Sequence, residues 1–149
     1  MNQRELLFTY AILTDTHIKP KGGDESSPYQ VNLLSEDRSR MIVGMLNRLS
    51  PDFVIHLGDI THPVPTLPTY DSGMQLAKDI FSGLDCPLHT VPGNHDIGDK
   101  PLSWMPGPKT TADHIKRYGK FWDEDYASFD WKGIHFVSTN SSIWNSGSE

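Results

Sequence analysis

The chain has 149 residues, 36% hydrophobic and 21% charged, with a formal net charge of -6. This balance excludes a disordered chain and fits one domain over residues 1–149. The acidic sum and the lack of any Lys/Arg run argue against a nucleic-acid partner, and no apolar stretch nears the roughly 20 residues of a membrane span.

Residues 6–15, LLFTYAILTD, form a short apolar and aromatic run that predicts a buried strand. The polar segment KPKGGDESSPYQVN then reads as a loop. Met41, Ile42, Met45, Leu46 and Leu49 recur at helical spacing, which predicts a helix over 35–49 with Ser35 as N-cap. Pro51 ends that helix, and DFVIHLGD (52–59) predicts a second buried strand. After the proline-rich loop THPVPTLPT, a helix over 71–84 should turn Met74, Ala77, Ile80, Phe81 and Leu84 inward. PLHTV (87–91) predicts a third strand, and IGDKPLSWMPGPK a long loop. A helix over 111–121 carries Ile115, Tyr118 and Phe121 on one side. Residues 126–140 read as a hairpin turning at Trp131-Lys132-Gly133. The order β-α-β-α-β-α-β-β implies parallel strands joined by right-handed crossovers. Cys86 is the single cysteine, so no intrachain disulfide is possible. It reads as a small buried hydrophobe in a reducing compartment, and the expected location is cytoplasmic.

Each of the three predicted parallel strands ends in a polar cluster. The first holds Asp15 and His17, the second Gly58 and Asp59, the third Gly93, Asn94, His95 and Asp96. The C-terminal ends of parallel strands line the ligand crevice of an open α/β sheet, so the clusters are expected to converge. Together they offer carboxylates, imidazole and an amide oxygen, a donor set suited to divalent manganese, iron or zinc. Carboxylates that converge without a cation repel and raise each other's pKa. A metal pair removes that penalty, one Asp can bridge two ions, and ions roughly 3.5–4 Å apart clamp phosphate oxygens. Gly58 and Gly93 would let the backbone turn sharply and approach closely.

The motifs D-x-H, GD and GNH[DE], each after a strand, stand here as Asp15-Thr16-His17, Gly58-Asp59 and Gly93-Asn94-His95-Asp96. In this combination the chain resembles the calcineurin-like metallophosphoesterases, from about Leu6 to the C-terminal hairpin. GNHDIG and YASFDWKGIHFVSTNSS look most like the serine/threonine phosphatase branch; GDITH and VPGNHD are similar to the cyclic-nucleotide phosphodiesterase branch. The resemblance implies an α/β calcineurin-like phosphoesterase fold, two mixed β-sheets flanked by helices, of which this chain would be an N-terminal portion. It also implies hydrolysis of a phosphoester substrate by hydroxide activated on two divalent metal ions. Asp15 and His17 would bind the first ion, Asp59 would bridge both, and Asn94 would bind the second. His95 would touch the phosphate and act as general acid, with Asp96 orienting it and raising its pKa.

The family completes its site with later histidines, one on a strand and two in a G-H-x-H motif. Neither occurs before Glu149, so a C-terminal segment or a second chain is expected to complete the site. His56 and His89 read as satisfied sheet residues, and His114 and His135 as structural. His62 is weighed between a plain loop residue and a site contact, Trp104 and Met105 between a pocket wall and a loop anchor. Asn140 and Ser141 are weighed between the site rim and a strand end. Two other functional readings stay open. One is a catalytically incompetent fragment or a protein-interaction scaffold of the same fold. The other is a manganese-dependent nuclease, against which the acidic balance counts.

Overall fold

The computed structural model describes residues 5–21, 30–101, 103 and 107–147. Trp104 and Met105 lie outside the described residues. Three short strands, β1 (Tyr10–Leu13), β2 (Phe53–His56) and β3 (Leu88–Thr90), form a parallel sheet in that order. Ala11 faces Val54 in register, and Val54 faces Leu88. The middle strand is buried along its whole length, which is why Phe53-Val54-Ile55 reads as an unbroken apolar run. The outer strand β1 is shorter and less buried than expected: Leu6 and Leu7 lie exposed before it, and Tyr10 and Ile12 within it are 46% and 55% exposed.

The crossovers are α1 (Ser35–Leu49) and α2 (Tyr70–Phe81). Helix α2 buries Met74, Ala77, Ile80 and Phe81 as its spacing predicts. Helix α1 does not follow its most apolar stripe. Met41, Met45 and Leu49 are exposed, while Ser35, Ser39, Val43 and Leu46 face inward. Ser35 is the first helical residue rather than the cap, and its Oγ accepts the Lys19 N–H at 3.1 Å. A one-turn helix, α3 (Asn94–Ile97), forms on the polar cluster that follows β3, just before the predicted loop, and α4 (Ala112–Trp122) follows. Thr111 Oγ1 caps α4 by accepting the His114 N–H, and Tyr118 is fully buried under it.

Strands β4 (Ala127–Trp131) and β5 (Ile134–Ser138) pair antiparallel as a second, two-stranded sheet. The loop between them is two residues, Lys132 and Gly133, both at positive φ (45° and 83°), the primed turn that matches strand twist. A Cβ on Gly133 would meet nothing within 4 Å, so only backbone conformation opposes Gly133→Ala. The expected cost is about 1 kcal/mol in urea unfolding. Phe53 joins the two sheets: its ring stacks on Tyr10 at 5.3 Å and meets Phe129, Trp131 and Phe136 edge-on at 5.2–5.4 Å. Burying such a side chain contributes about 1.5–3 kcal/mol, and the aromatic pairs add to it.

Candidate metal centre

The segments leaving β1 and β2 continue side by side. Asp15 N–H donates to Gly58 O and His17 N–H to Asp59 O, both at 3.0 Å; Ile18 N–H reaches Ile60 O at 2.9 Å. Along this path Asp15, His17 and Asp59 all sit at positive φ, 54°, 43° and 52°. A left-handed conformation costs a non-glycine residue roughly 1–2 kcal/mol, and such strain gathers at functional sites. Here it turns three donor side chains out of the strand pleat toward one another. Gly58 makes the third loop's approach possible. At φ 95°, a Cβ there would stand 2.3 Å from Gly93 N. Asp59 Oδ1 accepts the His95 N–H at 2.9 Å, which ties the second cluster to the third.

The donor atoms of Asp15, His17 and Asp59 lie within 4.8 Å of one another. His17 Nε2 is 3.7 Å from both Asp15 Oδ1 and Asp59 Oδ2. That is long for a hydrogen bond but close to the edge of a tetrahedron built on 2.0–2.1 Å metal bonds, about 3.4 Å. His17 Nδ1 is buried and makes no hydrogen bond. Burial and the His95 imidazole lower the His17 pKa, against Asp59 and Asp15, which raise it. A neutral imidazole is the form a metal takes. The donors therefore fit a divalent cation. His62 enters as well: a donor nitrogen from each of His17, His62 and His95 lies within 4.8 Å of the others. Its position three residues after Asp59, in G-D-I-T-H, is the sequence signal that places it there.

Asn94 opens α3 next to His95, and its amide nitrogen lies by Gly107, 3.9 Å from where a Cβ would stand. His95 Nδ1 contacts His62 O at 2.7 Å. A carbonyl only accepts, so the ring proton sits on Nδ1 and leaves Nε2 for the site. The expected pairing of Asp96 with His95 is corrected by this geometry. Asp96 is fully buried, and its carboxylate takes the N–H groups of Gly93 (2.8 Å), Ile60 (3.0 Å) and Thr61 (3.3 Å). Three amide donors outcompete one imidazole, and the side chain staples the PGNHD turn to the GDIT segment. Burial pushes its pKa up to about 7, while those amides pull it down.

His56, at the end of β2, is wholly buried. Its Nδ1 accepts the Gly58 N–H at 3.2 Å, so Nε2 carries the proton and donates to Thr16 Oγ1 at 2.9 Å. Thr16 in turn donates to Ile60 O at 3.0 Å. Burial lowers the His56 pKa from 6.5 to about 4. The unfolded chain therefore binds a proton between pH 6.5 and 4 that the folded chain refuses. Stability from His56 is complete above pH 6.5 and is lost as pH falls toward 4, by about 3 kcal/mol. Denaturant midpoints measured across that window should fall less steeply in His56→Asn than in the parent.

The remaining candidates lie elsewhere. His89 stacks flat on Phe129 with centroids 3.6 Å apart, and His135 pairs with Asp130 at 2.9 Å on the surface. Asn140 donates to Asp125 and accepts from Ser142 N–H, so it fastens the end of β5. Ser141 opens the short 3-10 turn that follows. No helix among the described residues is long and apolar enough to cross a membrane.

A sequence model of the family described as calcineurin-like phosphoesterase matches residues 8–147. Over 130 residues the chain is 28% identical to human serine/threonine-protein phosphatase CPPED1, covering 86% of this chain and 37% of that protein. Against the zebrafish (Danio rerio) protein of the same name identity is 31% over 127 residues, covering 83% and 36%. The chain thus spans little more than a third of the length of these curated relatives. Among solved structures, a purple acid phosphatase, PPD1, from yellow lupin (Lupinus luteus) superposes with TM-score 0.56 at 15% identity, over 90% of this chain and 24% of that one. A dimetal phosphatase from Danio rerio superposes with TM-score 0.50 at 20% identity, over 61% and 30%. These two likenesses speak to fold alone. With three converging strand-end motifs and a family match across nearly the whole chain, this protein belongs to the calcineurin-like phosphoesterase family.

Proposed function

We propose that this chain carries part of the metal site of a phosphoester hydrolase that acts on phosphoserine or phosphothreonine in proteins. The observation that carries the reading is the meeting of Asp15, His17 and Asp59 donor atoms within 4.8 Å, each residue held at positive φ. The substrate class follows the relatives named as serine/threonine phosphatases. When bound, two divalent cations, manganese, iron or zinc, would supply Lewis acidity toward phosphoryl oxygens and acidify a water.

The chain's own residues divide the remaining work. Asp15 and His17 would hold one cation and Asn94 the other, with Asp59 shared. Asp59 Oδ2 faces His17, while Oδ1 holds the His95 backbone in place. His95 is kept in the Nδ1–H tautomer by the His62 carbonyl. Protonation of Nε2 would make the imidazolium whose Nε2–H passes to the departing alkoxide, leaving the neutral Nδ1–H imidazole. A positioned general acid contributes on the order of 10²–10⁴-fold. Asp96 acts as a positioning residue, through the backbone of both loops rather than through the imidazole. Further ligands would come from a following segment or a second chain.

The test is hydrolysis of p-nitrophenyl phosphate and of a phosphoseryl peptide by the manganese-loaded protein, with bis-p-nitrophenyl phosphate as the diester control. Monoester turnover that disappears with chelator supports the reading. Absence of turnover on all three substrates, with metal bound, overturns it.

A further inference from the structure

A cleft of about 240 Å³ opens beside Asp15, between the end of β1 and the first turns of α1. Thr14, Asp15, Thr16, Ser35, Arg38 and Ser39 line it. With Asn32 and Ile42 completing the lining, the walls are mainly hydroxyls, with one guanidinium and a carboxylate already assigned to a metal. Arg40 and Arg117 are tied to Glu36 and Asp71 at 3.0 and 2.7 Å. Arg38 is exposed on the cleft wall and makes no ion pair with the described residues. Lys19 meets Ser35 Oγ through its backbone N–H only, and its buried Nζ has no hydrogen-bond partner among the described residues. Arg38 is thus the one cation lining the cleft among the described residues, and it stands without an ion pair among them, in a chain whose net charge is -6. A guanidinium on a cleft wall without a carboxylate partner is a place for an anion.

We propose that this cleft is a subsite for an acidic side chain flanking the phosphorylated residue of a peptide substrate, with Arg38 the specificity-determining contact. The proposal rests on the phosphatase reading above and names the peptide it would prefer. The volume equals that of about eight waters, enough for one carboxylate side chain. A guanidinium meets a carboxylate through two parallel N–H···O bonds, which an ammonium does not reproduce. Asp15 is shared between cleft and metal centre, so a group in the cleft lies next to the phosphate position.

The experiment uses two labelled peptides in which a phosphonate isostere replaces phosphoserine, so that neither is consumed. One carries Glu two residues from the phosphonate, the other Gln. Anisotropy titration of the manganese-loaded protein should show the Glu peptide binding roughly 5–10-fold more tightly, the effect of one charge-assisted pair in a half-open site. Arg38→Gln should bring the ratio to about 1, Arg38→Lys should leave it between, and Arg38→Glu should reverse it in favour of the Gln peptide. No binding of either peptide, no preference in the parent, or a preference that survives in Arg38→Gln overturns the subsite. Turnover of the matching phosphoseryl peptides separates the two readings. Binding preference without turnover removes the hydrolytic reading and leaves the subsite standing; turnover without preference does the reverse.

Discussion

Asp59→Asn is expected to remove metal binding by more than 100-fold and turnover with it, while His95→Asn keeps the metal and loses turnover alone. Outer-shell partners of a ligand cost about 10–100-fold in affinity when mutated, and a direct ligand exceeds that range. Asn is nearly isosteric, so the Oδ1 acceptor for the His95 N–H is retained and the fold should survive. What disappears is the negative charge that faces His17 Nε2 at 3.7 Å. His95→Asn, by contrast, leaves the Asp15, His17 and Asp59 donors untouched and removes Nε2. The expected fall in kcat is about 10²–10⁴-fold. Metal content by elemental analysis, measured beside kcat for each variant, checks both halves. Equal metal loss in the two variants would contradict the division of roles.

The second large effect concerns the backbone. Gly58→Ala is expected to destabilise the protein by about 3 kcal/mol or more, through two separate causes. The residue sits at φ 95°, which strains any L side chain. Its Cβ would also stand 2.3 Å from Gly93 N and 2.7 Å from Gly93 Cα, both backbone atoms without room to yield. Relieving that clash must push the GD turn away from the PGNH turn, so metal affinity should fall along with the unfolding midpoint. Gly133→Ala supplies the contrast, because it shares the positive φ but meets nothing within 4 Å. Similar losses in the two variants would mean that the contact between the loops contributes little.

The parallel sheet was legible because β2 is buried on both faces and so reads as Phe-Val-Ile without interruption. The face of α1 was not. Met41, Met45 and Leu49 form the more apolar stripe, yet the buried side carries Ser35 and Ser39, small residues beside Lys19 and the β1 end. Periodicity reports that a helix has a face, not which face finds a neighbour. At the centre, the donor types and their order were readable, and so was their convergence at strand ends. Direction was not. Asp96 is adjacent to His95 in sequence, but its carboxylate points into three backbone amides, and the imidazole turns to the carbonyl of His62. No residue type announces that Asp15, His17 and Asp59 adopt positive φ. That strain becomes visible only when the loops are seen paired.

The central claim is that three strand-end loops meet around bound cations. Manganese is paramagnetic, so substoichiometric Mn²⁺ titrated into ¹⁵N-labelled protein broadens resonances near the ion. Asp15, His17, Asp59, His62 and His95 are expected to broaden together at the first additions, while Gly133 and His135 stay sharp. Broadening that begins at exposed acids such as Asp123 and Glu124, with His17 and Asp59 unaffected, would contradict it.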